Sequence, residues 1–169
     1  AAVIWLNGCL MKRHFGGYTS FEVDITDVVK FGEENTLSVY VSTQEHEGWW
    51  YEGGGIYRHV FLIKTALLSV DLWGVYAKPI YLGDEKWRVD TVVTLRNDEV
   101  REKEFEIKGT IIDAAGKVAS HSKIKGKIGG KEITEFNYNF TVISPERWSP
   151  DYPNQYVMRT EILSNGVVL

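Results

Sequence analysis

The sequence predicts an all-β protein: a partial jelly-roll sandwich followed by an immunoglobulin-like β-sandwich. Three features point there. Apolar residues alternate with a period of two over most of the chain and helical spacing is scarce, so strands rather than helices carry the buried side chains. Asn-Gly pairs at Asn7-Gly8 and Asn165-Gly166 sit between alternating runs, as in a type I′ hairpin, which needs positive φ at both central positions. Residues 66–169 hold about seven strand-like runs, the count and size of an immunoglobulin-like sandwich. Residues 1–65 hold only about five, short of the eight or so of a jelly roll.

Taken in order, Val3 to Leu6 reads as a strand, Asn7-Gly8 as its turn and Cys9 to Arg13 as the return. Phe15 to Tyr18 reads as a loop, and Phe21, Val23 and Ile25 alternate with Glu22 and Asp24 as a further strand. Thr26 to Phe31 reads as a helical turn capped by Thr26 and ended by Gly32. Leu37, Val39 and Val41 alternate with polar residues or Tyr40, as in a half-buried strand. A long loop is expected from Thr43 to Gly55, and a strand from Tyr57 to Lys64.

The pattern then restarts with no flexible linker. This places the domain boundary at 64–67, with 1–65 the C-terminal part of a truncated jelly roll and 66–169 the second sandwich. Alternating runs begin at Leu68, Val89, Phe105, Val118, Phe136 and Tyr156, with a short last strand after Asn165-Gly166. Turns are expected at Asn97-Asp98, Ala115-Gly116 and Gly129-Gly130, and a Pro-bearing loop from Ser144 to Asn154. The opening Ala1-Ala2-Val3-Ile4 has neither an initiator Met nor the basic segment of a signal peptide, and reads as a cut through a longer chain. Missing strands would leave ladder edges open, so a homo-dimer through exposed strand edges is expected of the isolated chain.

Composition narrows the function. The net charge is −4 and 25% of residues are charged, without the basic patch a polyanion needs, which argues against a nucleic-acid partner. Lys123, Lys125, Lys127 and Lys131 read as a solvated strand face. No apolar run approaches the roughly 20 residues of a membrane-spanning helix, so no membrane partner is expected. The single cysteine, Cys9, cannot form an intrachain disulfide. Four dispersed histidines offer no metal-ligand spacing, no G-x-S-x-G elbow occurs, and Gly53-Gly54-Gly55 leads into a strand-like run rather than the helix a phosphate loop requires.

One run stands apart: Trp49-Trp50-Tyr51-Glu52-Gly53-Gly54-Gly55-Ile56-Tyr57-Arg58-His59-Val60. It resembles the W-Y-x-G-x-G-I-Y-R segment of glycoside hydrolase family 2, the β-galactosidase and β-glucuronidase family. Trp5-Leu6-Asn7-Gly8, Gly17-Tyr18-Thr19-Ser20-Phe21 with Asp24-Ile25-Thr26, and Asn35-Thr36-Leu37-Ser38-Val39 are similar to segments of that family's sugar-binding domain. Trp148-Ser149-Pro150-Asp151-Tyr152-Pro153, followed by Tyr156, is similar to its W-S-P-x-x-P-x-x-Y linker into a catalytic barrel. The form Glu47-Gly48-Trp49-Trp50-Tyr51-Glu52-Gly53 most resembles the β-galactosidase branch. It departs from it at Glu52, where Pro is common, and at Gly54, where Ser or Ala is.

The resemblance implies a parent enzyme that cleaves β-linked galactosides or related carbohydrates with retention. Such enzymes use two carboxylates about 5 Å apart, both glutamates of a (β/α)₈ barrel that this chain does not contain. It therefore implies no catalytic residue, no metal and no cofactor in this chain, and its own missing barrel as a partner. His46, Trp49, Trp50, Tyr51 and Glu52 are the substrate-pocket candidates, the aromatics either facing sugar or packing at a domain interface. Glu45, Glu47 and Glu52 share that loop but read as loop solvation rather than a catalytic pair. Arg58 and Trp148 read as structural, the first as an ion-pair or carbonyl clamp, the second as an anchor packed on the sandwich. Two other classes remain open: a stand-alone carbohydrate-binding module, and a structural or adhesive sandwich. Sugar-binding calorimetry separates them.

Overall fold

The computed structural model describes residues 1–43 and 53–169. Among the described residues there is no helix, and ten strands carry the fold: β1 Ala2–Leu6, β2 Cys9–His14, β3 Leu37–Val41, β4 Leu68–Gly83, β5 Lys86–Asn97, β6 Lys103–Ile112, β7 Val118–Ile128, β8 Glu132–Ile143, β9 Val157–Ser164 and β10 Val167–Val168. The contacts divide the chain into two units, Ala1–Leu62 and Ile63–Leu169.

The first unit is built on a three-stranded antiparallel sheet in the order β2-β1-β3. Alternation puts Ile4 and Leu6 of the central strand into its interior, 5% and 4% exposed. The β1–β2 turn has φ 51° at Asn7 and 82° at Gly8, the conformation an Asn-Gly pair favours. The Asn7 side chain clamps residues 28–36 to this turn: its Nδ2 donates to Asn35 Oδ1 at 2.8 Å and to the Val28 carbonyl at 3.1 Å, and its Oδ1 accepts from Thr36 N–H at 3.0 Å. Asn35 in turn accepts from Lys30 N–H and donates to the Lys30 and Glu33 carbonyls. A single helical turn lies between, with Val28 and Val29 N–H both donating to the Ile25 carbonyl. Its cap is Asp24, whose carboxylate accepts from Thr26 N–H at 2.9 Å and from the Thr26 hydroxyl at 2.6 Å, two residues before the cap expected from the sequence.

Two strands expected here do not form among the described residues. Phe21 to Ile25 alternates and Tyr57 to Lys64 carries the apolar run Val60 to Ile63, but neither has a ladder partner among the described residues, and both are largely exposed. A strand is defined by its neighbour: without one, its N–H and C=O groups bond water and the pattern alone does not order it.

The second unit is a sandwich of two antiparallel sheets, β4-β5-β8 and β10-β9-β6-β7, the immunoglobulin-like arrangement expected. Its core draws on both sheets: Val93, Leu95, Tyr138, Phe140 and Val142 from one, Phe105, Ile107, Ile111, Ile128 and Ile162 from the other. Fully burying side chains of this size contributes about 1.5–3 kcal/mol each. Gly109 is required by this packing, because a Cβ there would lie 2.5 Å from the Phe140 ring and 2.7 Å from that of Tyr138. Asn97, fully buried, ties the end of the sandwich: its Nδ2 donates to the Arg101 and Gly129 carbonyls at 2.9 Å each and its Oδ1 accepts from Glu99 N–H at 3.0 Å.

Outside the core, the β6–β7 face carries cross-strand ion pairs. Lys127 pairs with Glu104 at 2.9 Å and with Glu102 at 3.4 Å, Lys125 with Glu106 at 3.4 Å, and Lys108 with Glu161 at 3.6 Å. Of the lysines expected on a solvated strand face, Lys123, Lys125 and Lys127 lie exposed on β7, whereas Lys131 sits in the turn after it, its ammonium donating to the Asp98 carbonyl.

Candidate functional site

The substrate-pocket candidates His46, Trp49, Trp50, Tyr51 and Glu52 lie outside the described residues, as do Glu45 and Glu47. What the structure gives is the frame from which their loop springs. The chain enters that loop after β3, where Ser42 N–H donates to the Ala1 carbonyl at 2.9 Å and the Ala1 amine to the Ser42 carbonyl at 2.7 Å. The returning chain passes close by: a Cβ on Gly54 would stand 3.3 Å from Thr43 Cγ2 and 3.5 Å from Val41 Cγ1. Beyond it, the Tyr57 hydroxyl donates to the Gly17 carbonyl at 2.7 Å. This hydrogen bond spans 40 residues and links the segment after the loop to Gly17. Beside it His14 stacks on Phe21 with centroids 4.3 Å apart and lies 3.2 Å from the Thr19 hydroxyl.

Arg58 is exposed, with its guanidinium 5.6 Å from the Tyr57 ring centroid. Among the described residues its contact is this cation–π interaction. Trp148 is also turned outward: it is 61% exposed and its backbone bridges to Pro153. The loop around it is braced by other groups. Arg147 pairs with Glu85 at 2.7 Å and lies over the Tyr81 and Trp87 rings, the Tyr156 hydroxyl accepts from Glu146 N–H, and Ser149 and Tyr152 exchange backbone hydrogen bonds. Sequence reasoning missed Arg147, whose ion-pair partner is 62 residues away and leaves no local signal.

The electrostatics show what the described residues can do. The Lys127 ammonium, hydrogen-bonded to Glu104, holds that carboxyl below the usual range, and Thr134 with the Gly129 N–H does the same for Glu132. A general acid needs its pKa raised toward neutrality, so both shifts run the wrong way for proton donation. No group of three or more His, Cys, Asp or Glu could hold a metal among the described residues.

Comparison with known proteins agrees with this frame. Residues 70–169 match the profile of Glycosyl hydrolases family 2. The β-galactosidase BoGH2A of Bacteroides ovatus is 30% identical over 96% of this chain and 19% of its own length. A β-galactosidase of Thermoanaerobacter pseudethanolicus is 30% identical over 99% of this chain and 23% of its own. Among solved structures, a glycosyl hydrolase family 2 member of Bacteroides cellulosilyticus superposes with a TM-score of 0.94 at 33% identity, covering 99% of this chain and 23% of that one. The chain spans about a fifth of the length of the curated relatives it matches. With the profile match covering most of the second unit and the likeness running through the first, the chain belongs to glycosyl hydrolase family 2.

Proposed function

We propose that this chain is the non-catalytic β-sandwich portion of a retaining glycosidase of β-galactosidase type. In that role residues 1–65 are the C-terminal part of its sugar-binding jelly roll and residues 66–169 its immunoglobulin-like domain. Together they support a (β/α)₈ barrel that carries both catalytic glutamates, and they shape its pocket. The observation that carries the proposal is the near-complete coverage of this chain by relatives of which it spans only about a fifth. The 30% identity shared with two proteins named β-galactosidase favours a galactoside over a glucuronide.

The loop bearing His46, Trp49, Trp50, Tyr51 and Glu52 then leans toward the sugar, with Gly54 and the Tyr57–Gly17 hydrogen bond fixing its base. The test assays the purified 169-residue chain and the product of the complete reading frame against nitrophenyl β-galactoside and β-glucuronide. Turnover by the complete protein alone, faster on the galactoside, is expected. Hydrolysis by the 169-residue chain would refute the proposal, and faster glucuronide turnover would overturn its sugar. In the complete enzyme Trp49→Ala is expected to lower kcat/KM about threefold to tenfold, the loss of one aromatic contact.

A further inference from the structure

We propose that Trp73, with the bulge that carries it, is a docking anchor that seats the second unit against the part of the enzyme outside these 169 residues. This rests on the proposed function, in which the chain belongs to a longer glycosidase. β4 is an edge strand, and its ladder breaks between Val70, which faces Leu95, and Val75, which faces Val93. Asp71, Leu72, Trp73 and Gly74 therefore oppose Thr94 alone.

The bulge is pinned at both ends. The Asp71 carboxylate accepts from Arg96 Nε at 2.9 Å and from its terminal guanidinium nitrogen at 2.8 Å. At Gly74 a Cβ would lie 2.7 Å from the Asp71 carbonyl oxygen and 2.8 Å from that of Thr94, so only glycine fits. Between the pins Trp73 is held at φ 58° and is 84% exposed. A bulky residue in the left-handed region is a conformational outlier. Such strain persists only where the surroundings over-determine it, and it clusters at clamps and binding sites. Among the described residues the exposed indole gains no burial to set against that strain. Leu72, Val75 and Tyr76, its neighbours along the strand, are exposed as well, so this edge adds further apolar surface. Trp is prominent among the residues that anchor protein interfaces by filling a pocket on the partner.

Three observations select the occupant. The bulge and Pro79 break the hydrogen-bonding edge of β4, which stops a second copy from adding as a strand. The β6–β7 face carries cross-strand ion pairs instead, so the charged side of the sandwich lies on the other sheet from Trp73. About four-fifths of the relatives' length lies outside the region matched here. The occupant is thus polypeptide of the same enzyme, offering an apolar pocket to an indole.

The test places a photo-crosslinking benzoylphenylalanine at position 73 in the product of the complete reading frame, and a second one at Tyr76 on the same strand. Crosslinked peptides are then mapped by mass spectrometry. Crosslinks from both positions to residues beyond Leu169 of the same chain are expected, together with a lower melting temperature for Trp73→Ala that Trp73→Phe largely restores. Crosslinks confined to residues 1–169, crosslinks between two chains, or loss of crosslinking on adding a galacto-oligosaccharide would overturn the proposal. Glycosidase activity of the same preparation separates the two readings. An active enzyme without the expected crosslinks removes the anchor and leaves the functional reading, whereas a reading frame with no catalytic part removes both.

Discussion

Asn7 and Asn35 fall in the sequence in segments similar to the family's sugar-binding domain, and in the structure they bond each other and the backbone around them. Their work is to staple a turn to a loop. Gly109 and Tyr138 show the same economy in the core. Gly109→Ala would push a methyl group into the Phe140 and Tyr138 rings and is expected to cost about 1–3 kcal/mol, the usual penalty of overpacking, measured by urea denaturation. Burial pushes the Tyr138 phenol above the usual tyrosine value, while the Thr160 hydroxyl acts the other way. The Tyr138 hydroxyl has no hydrogen bond of good geometry among the described residues. With the folded pKa raised, the unfolded chain ionises first. This stabilisation is therefore complete below about pH 10, the ordinary tyrosine value, and is lost as pH rises from there through the folded pKa. Tyr138→Phe is expected to change stability by less than about 1 kcal/mol at neutral pH and to flatten the alkaline loss in denaturation curves measured from about pH 8 to about pH 12.

At the scale of elements, legibility followed the turns. Asn7-Gly8 and Asn165-Gly166 announced their hairpins, and the seven strands of the second unit follow the alternating runs. β4 is the exception: its first residues read as a strand, but nothing in the sequence extended it to Gly83 or marked the bulge at Trp73. The hairpin that ends it turns through Asp84 at φ 49° and Glu85 at φ 55°, a two-residue turn of the primed type written without Asn or Gly. Asp84→Asn fits that conformation better and is expected to stabilise by about 0.5 kcal/mol, read as a raised melting temperature; a lower one would contradict the assignment. The strand expected at Tyr57–Lys64 is a different case: its apolar run suits a strand, but it has no ladder partner among the described residues. Val60, Phe61, Leu62 and Ile63 stand exposed there. The isolated chain is expected to self-associate through this segment and the open edges of β2 and β3. Phe61→Asp with Leu62→Asp should shift its light-scattering mass toward the monomer, and a monomer already at high concentration would count against the expectation.

Across the whole molecule, the family was readable because its motifs sit in structural joints: a clamped turn, a tyrosine hydrogen-bonded across 40 residues, a braced loop. The candidate site was readable only as a loop of aromatics, and the described residues fix its base rather than its rings. The docking surface was not readable at all, because one exposed Trp in a strand pattern gives no sign of left-handed backbone. Everything proposed for these sandwiches depends on their serving a catalytic part that lies outside them. Sequencing the source reading frame on both sides of the segment tests that dependence without any assay. Jelly-roll strands are expected upstream of Ala1 and, after Leu169, the alternating strands and helices of a barrel with two strand-end glutamates. Stop signals close on both sides would contradict this, leaving the aromatic loop to stand as a binding site by itself.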